Sequence, residues 1–458
     1  MPFSSVNPTT GELLENFPLA TSDAVETALA RAATGFAAWR KTPIAERAAF
    51  VGTVGRLLEQ NKERLGTLAT LEMGKPIGAG IGEVEKCAGG CRYYAEKGPA
   101  LLADEEVREP NGVRELLHHA PLGVVLSIMP WNFPYWQTLR FAAPALVAGN
   151  VVLFKPAPST PQCGLALQEI FEKAGAPSGV FQTLFIEPDV ISKVVADPRV
   201  AAVTLTGSER AGAAVAAAAG AALKKSVLEL GGSDPFIVLG DADLDRAVAT
   251  AVKARMVNVG QSCIAAKRFI VVESIYDAFR DRFVAAVRAL KVGDPMTPGT
   301  EIGPLATRAI RDGLHAQVRR TVAAGAKVLV GGESMNGPGF FFAPTVLESV
   351  PIDSPGAREE LFGPVAALFR VRDRASAVTL ANATPFGLGA AVFTQDAAQA
   401  DACAREIDAG MVFINDMVAS DARYPFGGIK RSGYGRELGA AGIRELTNLK
   451  RVRVAGIA

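Results

Sequence analysis

The chain has 458 residues, of which 49% are hydrophobic and 21% charged, a composition that implies a folded protein with a sizeable core and excludes wholesale disorder. Lys and Arg total 48 against 47 Asp and Glu, and no block of like charge offers a footprint for nucleic acid. The longest uncharged stretch, residues 116–139, contains three prolines, so no membrane-spanning helix is expected, and the opening MPFSSVNPTTGELLENF lacks the basic-then-apolar order of a secretion signal.

These features point to a cytoplasmic protein. Five cysteines, at 87, 91, 163, 263 and 403, have no paired spacing, which argues against a disulfide framework. The three histidines stand in no HExxH or paired CxxC setting, so no metal site is expected. Proton transfer then falls to a carboxylate or a thiol.

In chain order, Val25, Leu29, Ala32, Phe36 and Trp39 recur at helical spacing, with Ser22 or Asp23 placed to cap the helix. Helical blocks over about 44–72 and 81–102 follow, so the first hundred residues read as mostly helical. Residues 113–119 and 123–128 read as extended. Strands and helices then alternate: VVLFK (151–155), a helix near 162–174, VFQTLFI (180–186), a short helix near 190–196, AAVTLT (201–206), an alanine-rich helix near 209–222 and SVLEL (226–230). A second run starts at FIVL (236–239), continues through a helix from 243 and KRFIVV (267–272), and takes in KVLVGG, VAALFRV, AAVFT and MVFIN. Such alternation predicts two α/β domains in tandem, each a parallel sheet covered on both faces, with a boundary near Gly231-Gly232.

Open α/β sheets bind ligands beyond the carboxyl ends of their strands. The residues there are PWNFP (130–134), Lys155, Gly207-Ser208 and Glu229-Leu230-Gly231-Gly232. No GxGxxG fingerprint occurs at these turns, although Gly207-Ser208 at a helix start can offer N–H groups and a hydroxyl to a phosphate. Cys263, in the loop GQSC, is either a nucleophile or a small buried hydrophobe. Glu229, ending an apolar strand, is either a general base with a raised pKa or a surface carboxylate.

Taken together, PWNFP, FKPA (154–157), LTGS (205–208), LELGG (228–232), GQSC (260–263), EELFGPV (359–365) and PFGGIKRSGYGRELG (425–439) resemble the aldehyde dehydrogenase superfamily over nearly the whole chain. The resemblance implies two Rossmann-like α/β domains and a small β oligomerisation element. The cofactor-binding domain would comprise residues 1–102 and 123–230, the catalytic domain 231–433, and the oligomerisation element 103–122 with 434–458. It also implies roles. Cys263 attacks the aldehyde, Asn132 and the Cys263 backbone N–H hold the oxyanion, hydride leaves for a nicotinamide, and Glu229 activates the water that hydrolyses the thioester. Lys155 contacts the cofactor ribose, and Glu360 and Phe362 position the nicotinamide end. Trp131, Ser159, Gly207, Ser208 and Gly231 complete the expected cofactor-binding set.

Arg140 follows Asn132 by eight residues, about two helical turns, and an arginine fork suits a carboxylate. With Trp136 and Ser420 it resembles the pattern of the succinate-semialdehyde dehydrogenases, the shorter bacterial ones above all. The alternative for Arg140 is a structural salt bridge. Some members carry a second arginine where this chain has Val257, and a second cysteine where it has Ala265, so no local disulfide switch is expected. Many NAD-preferring members have a glutamate where this chain has Pro158. Ser159 and Lys155 could then accept the 2′-phosphate of NADP, opposed by Glu187 and Asp189, and both NAD and NADP are expected to work. The expected partners are a small aldehyde and further copies of the chain, as a homodimer or homotetramer. Other aldehydes, a thiol esterase activity and a non-catalytic binding role are the competing readings.

Overall fold

The computed structural model describes residues 3–108 and 113–455. Its core is split between two sheets. The first has the strand order Gly433–Tyr434, Lys225–Glu229, Val200–Thr206, Val124–Ile128, Val151–Lys155, Phe181–Thr183, parallel throughout except for the two-residue edge at Gly433–Tyr434. Every residue of Val124–Ile128 and Val151–Lys155 is buried, which is why these strands read as unbroken apolar runs. The chain passes from Val124–Ile128 to one side of the sheet and later returns to its other side. The loops after Ile128 and Thr206 therefore open at the point where the strand order reverses.

The second sheet runs Lys327–Val330, Thr345–Glu348, Val365–Val371, Arg268–Val272, Pro235–Val238, Gly389–Phe393, Met411–Ile414, with only the first pair antiparallel. The division between the sheets falls between Glu229 and Pro235. A third, antiparallel sheet joins Thr447–Val454, Arg114–Pro121 and Glu105–Arg108.

Local chemistry accounts for some of the element ends. Thr21, not Ser22 or Asp23, caps the first helix, accepting from the Ala24 N–H at 3.2 Å. Ser208 caps the alanine-rich helix Glu209–Ala221, which lies so near Leu230 that a Cβ on Gly212 would stand 2.6 Å from a Leu230 methyl.

The structure departs from the sequence reading in four places. An N-terminal hairpin, Phe3–Val6 with Leu13–Phe17, precedes the helices; its second strand is almost wholly exposed and carries no apolar alternation to reveal it. Thr345–Glu348 is a further strand. VFQTLFI keeps only Phe181–Thr183 in the sheet, because the chain turns off toward the proline that opens the helix Pro188–Ala196. Of the described residues from 434 onward, only Thr447–Val454 joins the third sheet: Tyr434 extends the first sheet, and the helix Gly439–Glu445 packs on the helices Ile77–Leu101 and Trp136–Ala148. Among the described residues, no helix is long and apolar enough to cross a membrane, and no cluster of His, Cys, Asp or Glu forms a metal-ligand set.

Candidate active site

The loop before the nucleophile is tightly tethered. Asn258 and Val259 hold φ of 54° and 59°, and Gly260 follows at 73°, where a Cβ would stand 2.3 Å from the Gly363 carbonyl oxygen. A left-handed Val is a strained conformation that its surroundings must enforce. Asn258 Nδ2 donates to the carbonyls of Asn132 (2.8 Å) and Gln261 (3.0 Å), and Asn132 Nδ2 donates to Gln261 O at 3.0 Å. Arg255 reaches Gly260 O at 2.7 Å, and Lys267 Nζ reaches Ser262 O at 2.8 Å and Cys263 O at 2.6 Å. Both cations are buried, so the carbonyls of the loop face inward and the Cys263 side chain is left facing open space.

That space is two cavities. One, of about 320 Å³, is lined by Phe133, Trp136, Arg140, Lys86, Ser420 and Phe426 among others; the second, of about 290 Å³, is lined by Trp131, Asn132, Gly207, Ser208, Gly231, Glu360 and Phe362. Cys263 and Gln137 line both. The thiol thus stands where the two spaces meet.

Burial pushes the Cys263 thiol up to about 12, with Lys267 and then Arg140 pulling it down. It is a thiol rather than a thiolate at neutral pH. Glu229 is 2% exposed, and neither of its carboxylate oxygens has a hydrogen-bond partner. Burial and then the neighbouring Glu437 raise its pKa well above the usual carboxyl range, against Arg140 and Arg436. It lines neither cavity in this conformation.

In the second cavity Glu360 accepts from Gly232 N at 3.0 Å and lies 3.5 Å from Lys267 Nζ. Gly231 is needed there, since a Cβ would come 2.6 Å from the Glu360 carboxylate. Trp131 meets the Phe362 ring edge-on at 5.6 Å. Lys155 and Ser159 do not line this cavity. Lys155 is buried, its Nζ donates to Pro156 O at 3.1 Å, and burial lowers its pKa to about 8.

Arg140 is not the free fork expected from the sequence. Its Nε is bonded to Glu437, both side chains are buried, and its guanidinium lies over the Phe426 ring at 4.3 Å. The sequence reading missed four further residues: Glu437, Lys267, Lys86 and Glu83. Glu83 pairs with Lys75 at 2.5 Å and accepts the backbone N–H groups of Tyr135 and Trp136, both at 2.9 Å, at the start of the helix Trp136–Ala148. Glu437 alone falls inside a motif, GRELG; the others are visible only once the helices pack.

A strained cysteine loop at the strand ends of two α/β domains, facing a small substrate-sized cavity on one side and a sheet crevice on the other, defines a thiol-dependent enzyme with a second ligand at the switch point. The chain belongs to the aldehyde dehydrogenase family, whose model matches residues 1–452. It is 50% identical over 457 residues to a succinate-semialdehyde dehydrogenase [NADP(+)] of Mycobacterium tuberculosis, covering 99% of this chain and 100% of the relative. A probable succinate-semialdehyde dehydrogenase [NADP(+)] of Synechocystis is 51% identical over 455 residues, covering 99% of this chain and 100% of that one. Among solved structures, the succinic semialdehyde dehydrogenase of Streptococcus pyogenes in complex with NADP+ superposes with a TM-score of 0.96 at 36% identity, covering 99% of this chain and 100% of that one.

Proposed function

We propose that the protein oxidises succinate semialdehyde to succinate with NADP+. The observation that carries this reading is the position of Cys263 at the junction of the two cavities, so that a bound aldehyde and a bound cofactor would meet at its sulfur. The names of the full-length relatives at about half identity support the substrate and the cofactor.

The residues around the second cavity fit a dinucleotide. Gly207 and Ser208 open a helix toward it and Glu360 offers a carboxylate to ribose hydroxyls, while Lys155, outside the cavity lining, is a buried cation that donates to a neighbouring carbonyl. Pro158 puts no carboxylate where a 2′-phosphate would be repelled. A nicotinamide held there would supply the acceptor for a hydride from the substrate carbon.

The chain's own residues do the rest. The Cys263 sulfur adds to the aldehyde carbon as its proton passes to solvent, the one proton that the overall oxidation releases. Asn132 Nδ2 and the Cys263 N–H donate to the oxygen, where charge develops only as the carbon becomes tetrahedral. Lys267, by holding the Ser262 and Cys263 carbonyls, fixes that N–H. Loss of hydride gives a thioester on Cys263. Glu229, in its ionised form, then takes a proton from the attacking water, and returning that proton to the Cys263 sulfur restores the thiol as the carboxylic acid leaves. Five free thiols fit the reducing cytoplasm that this reading carries with it.

Steady-state assays test the reading. Succinate semialdehyde should be turned over with NADP+ at a higher kcat/KM than with NAD+, and no acid should form without a cofactor. Cofactor-independent hydrolysis of esters as the only activity would favour the thiol esterase reading instead.

A further inference from the structure

We infer that Lys267 is a positioning residue that couples the two cavities: its ammonium ties the Cys263 loop to Glu360, so that a ligand on the Glu360 carboxylate makes the thiol more reactive. The inference rests on the cofactor reading above and deepens it. Lys267 stands just before the strand Arg268–Val272, its backbone N–H donating to Asp234 O and its carbonyl accepting from Ala367 N, both at 3.0 Å. The side chain is buried, and its Nζ meets three oxygens, one for each N–H: Ser262 O at 2.8 Å, Cys263 O at 2.6 Å and Glu360 Oε1 at 3.5 Å. Cys263 lines both cavities and Glu360 the second, whereas Lys267 lines neither. It acts on a ligand only through the groups it holds.

The cluster has little slack. The Glu360 oxygen that faces Lys267 also accepts from Gly232 N at 3.0 Å, and a Cβ on Gly232 would stand 2.6 Å from Cys263 O. The charges around the thiol oppose one another: Lys267 and then Arg140 favour the thiolate, while Glu360 and Asp234 disfavour it. At Lys267 itself, burial lowers the pKa, Glu360 and Asp234 support the charge, and Arg255 opposes it. Glu360 thus both holds the ammonium and offsets it. Hydroxyls donated to Glu360 spread its charge and weaken that offset, leaving the ammonium to bear more fully on Cys263. By linkage, ionising Cys263 tightens the ligand on Glu360 by the same factor.

The test is the pH profile of Cys263 alkylation by iodoacetamide, which reaches the thiol from the first cavity, with and without saturating NADPH. NADPH carries the same ribose hydroxyls as NADP+ but no charge on its ring. In wild type it should move the profile down by about one pH unit, roughly tenfold in rate at pH 7. In Lys267→Met that shift should vanish, and Lys267→Arg should keep part of it. Without any ligand, the two ends of the ion pair should displace the profile in opposite directions, up in Lys267→Met and down in Glu360→Gln, whereas a merely structural role would displace both alike. A shift kept in Lys267→Met overturns the coupling, as does a ligand-free Glu360→Gln profile that is unchanged or raised, a result that stands even where Lys267→Met fails to fold. A wild type that responds to NADP+ but not to bound NADPH overturns it too, because the ring charge alone would then act. NADPH fluorescence reports binding separately: a wild type that leaves it unchanged overturns the cofactor reading and this inference with it.

Discussion

Two buried carboxylates, Glu229 and Glu437, share one region with Arg140, and only Glu437 is bonded to it. The folded state therefore prefers Glu229 protonated. Above the ordinary carboxyl range the unfolded chain releases that proton while the folded chain keeps it, so stability falls as pH rises toward the folded pKa. A Glu229→Gln variant cannot ionise, and its unfolding midpoint in urea should fall less between pH 5 and pH 8 than that of wild type, with the two close together below about pH 4. Identical slopes would show that Glu229 is not the strained carboxylate described. Arg140→Met should act differently, because it strands Glu437 as a buried unpaired charge, at a cost of about 3–5 kcal/mol to stability. Wild-type stability in that variant would mean the pair is dispensable. Cys263, Glu229 and Asn132 were legible in the sequence because each sits in a short motif at the end of an element: Asn132 after the strand Val124–Ile128, Glu229 at the last position of Lys225–Glu229, and Cys263 between a helix and the strand Arg268–Val272. Lys86, Lys267 and Glu83 were not, because their meaning lies in which loop or helix end they meet, and no local pattern encodes that. Arg140 was legible as a cation near the site, but not its partner, which is 297 positions away.

At the scale of elements, the helix Trp136–Ala148 carries Trp136, Gln137 and Arg140 into the cavity, and its start has no side-chain cap of its own. Glu83, from a different helix, takes that part by accepting the Tyr135 and Trp136 N–H groups, with Lys75 neutralising it. Glu83→Ala should cost about 3–5 kcal/mol by leaving Lys75 buried without its partner. Replacing both, as Lys75→Met with Glu83→Gln, should recover much of the loss, as a double-mutant cycle in urea would show. Strict additivity of the two single changes would contradict the coupling. The parallel strands were readable for a related reason: full burial writes them as unbroken apolar runs, whereas the exposed strand Leu13–Phe17 has no core face to leave a pattern.

For the whole molecule, the third sheet leaves apolar side chains open, with Val107 64% exposed and Leu449 57%. The sequence reading expects this sheet to pack against further copies of the chain. Sedimentation should find a dimer or tetramer for the full chain and a monomer for a chain ending at Leu446; a full chain that sediments as a monomer would refute that expectation. The two cavities meet at Cys263, and the account depends most on what happens there. Glu229→Gln, mixed with succinate semialdehyde and NADP+, should release a burst of NADPH equal to the enzyme sites and then stall. Acid quenching and peptide mass analysis should find a succinyl thioester on Cys263 in that same amount. A burst without an adduct on Cys263, or an adduct that forms equally without NADP+, would contradict the mechanism.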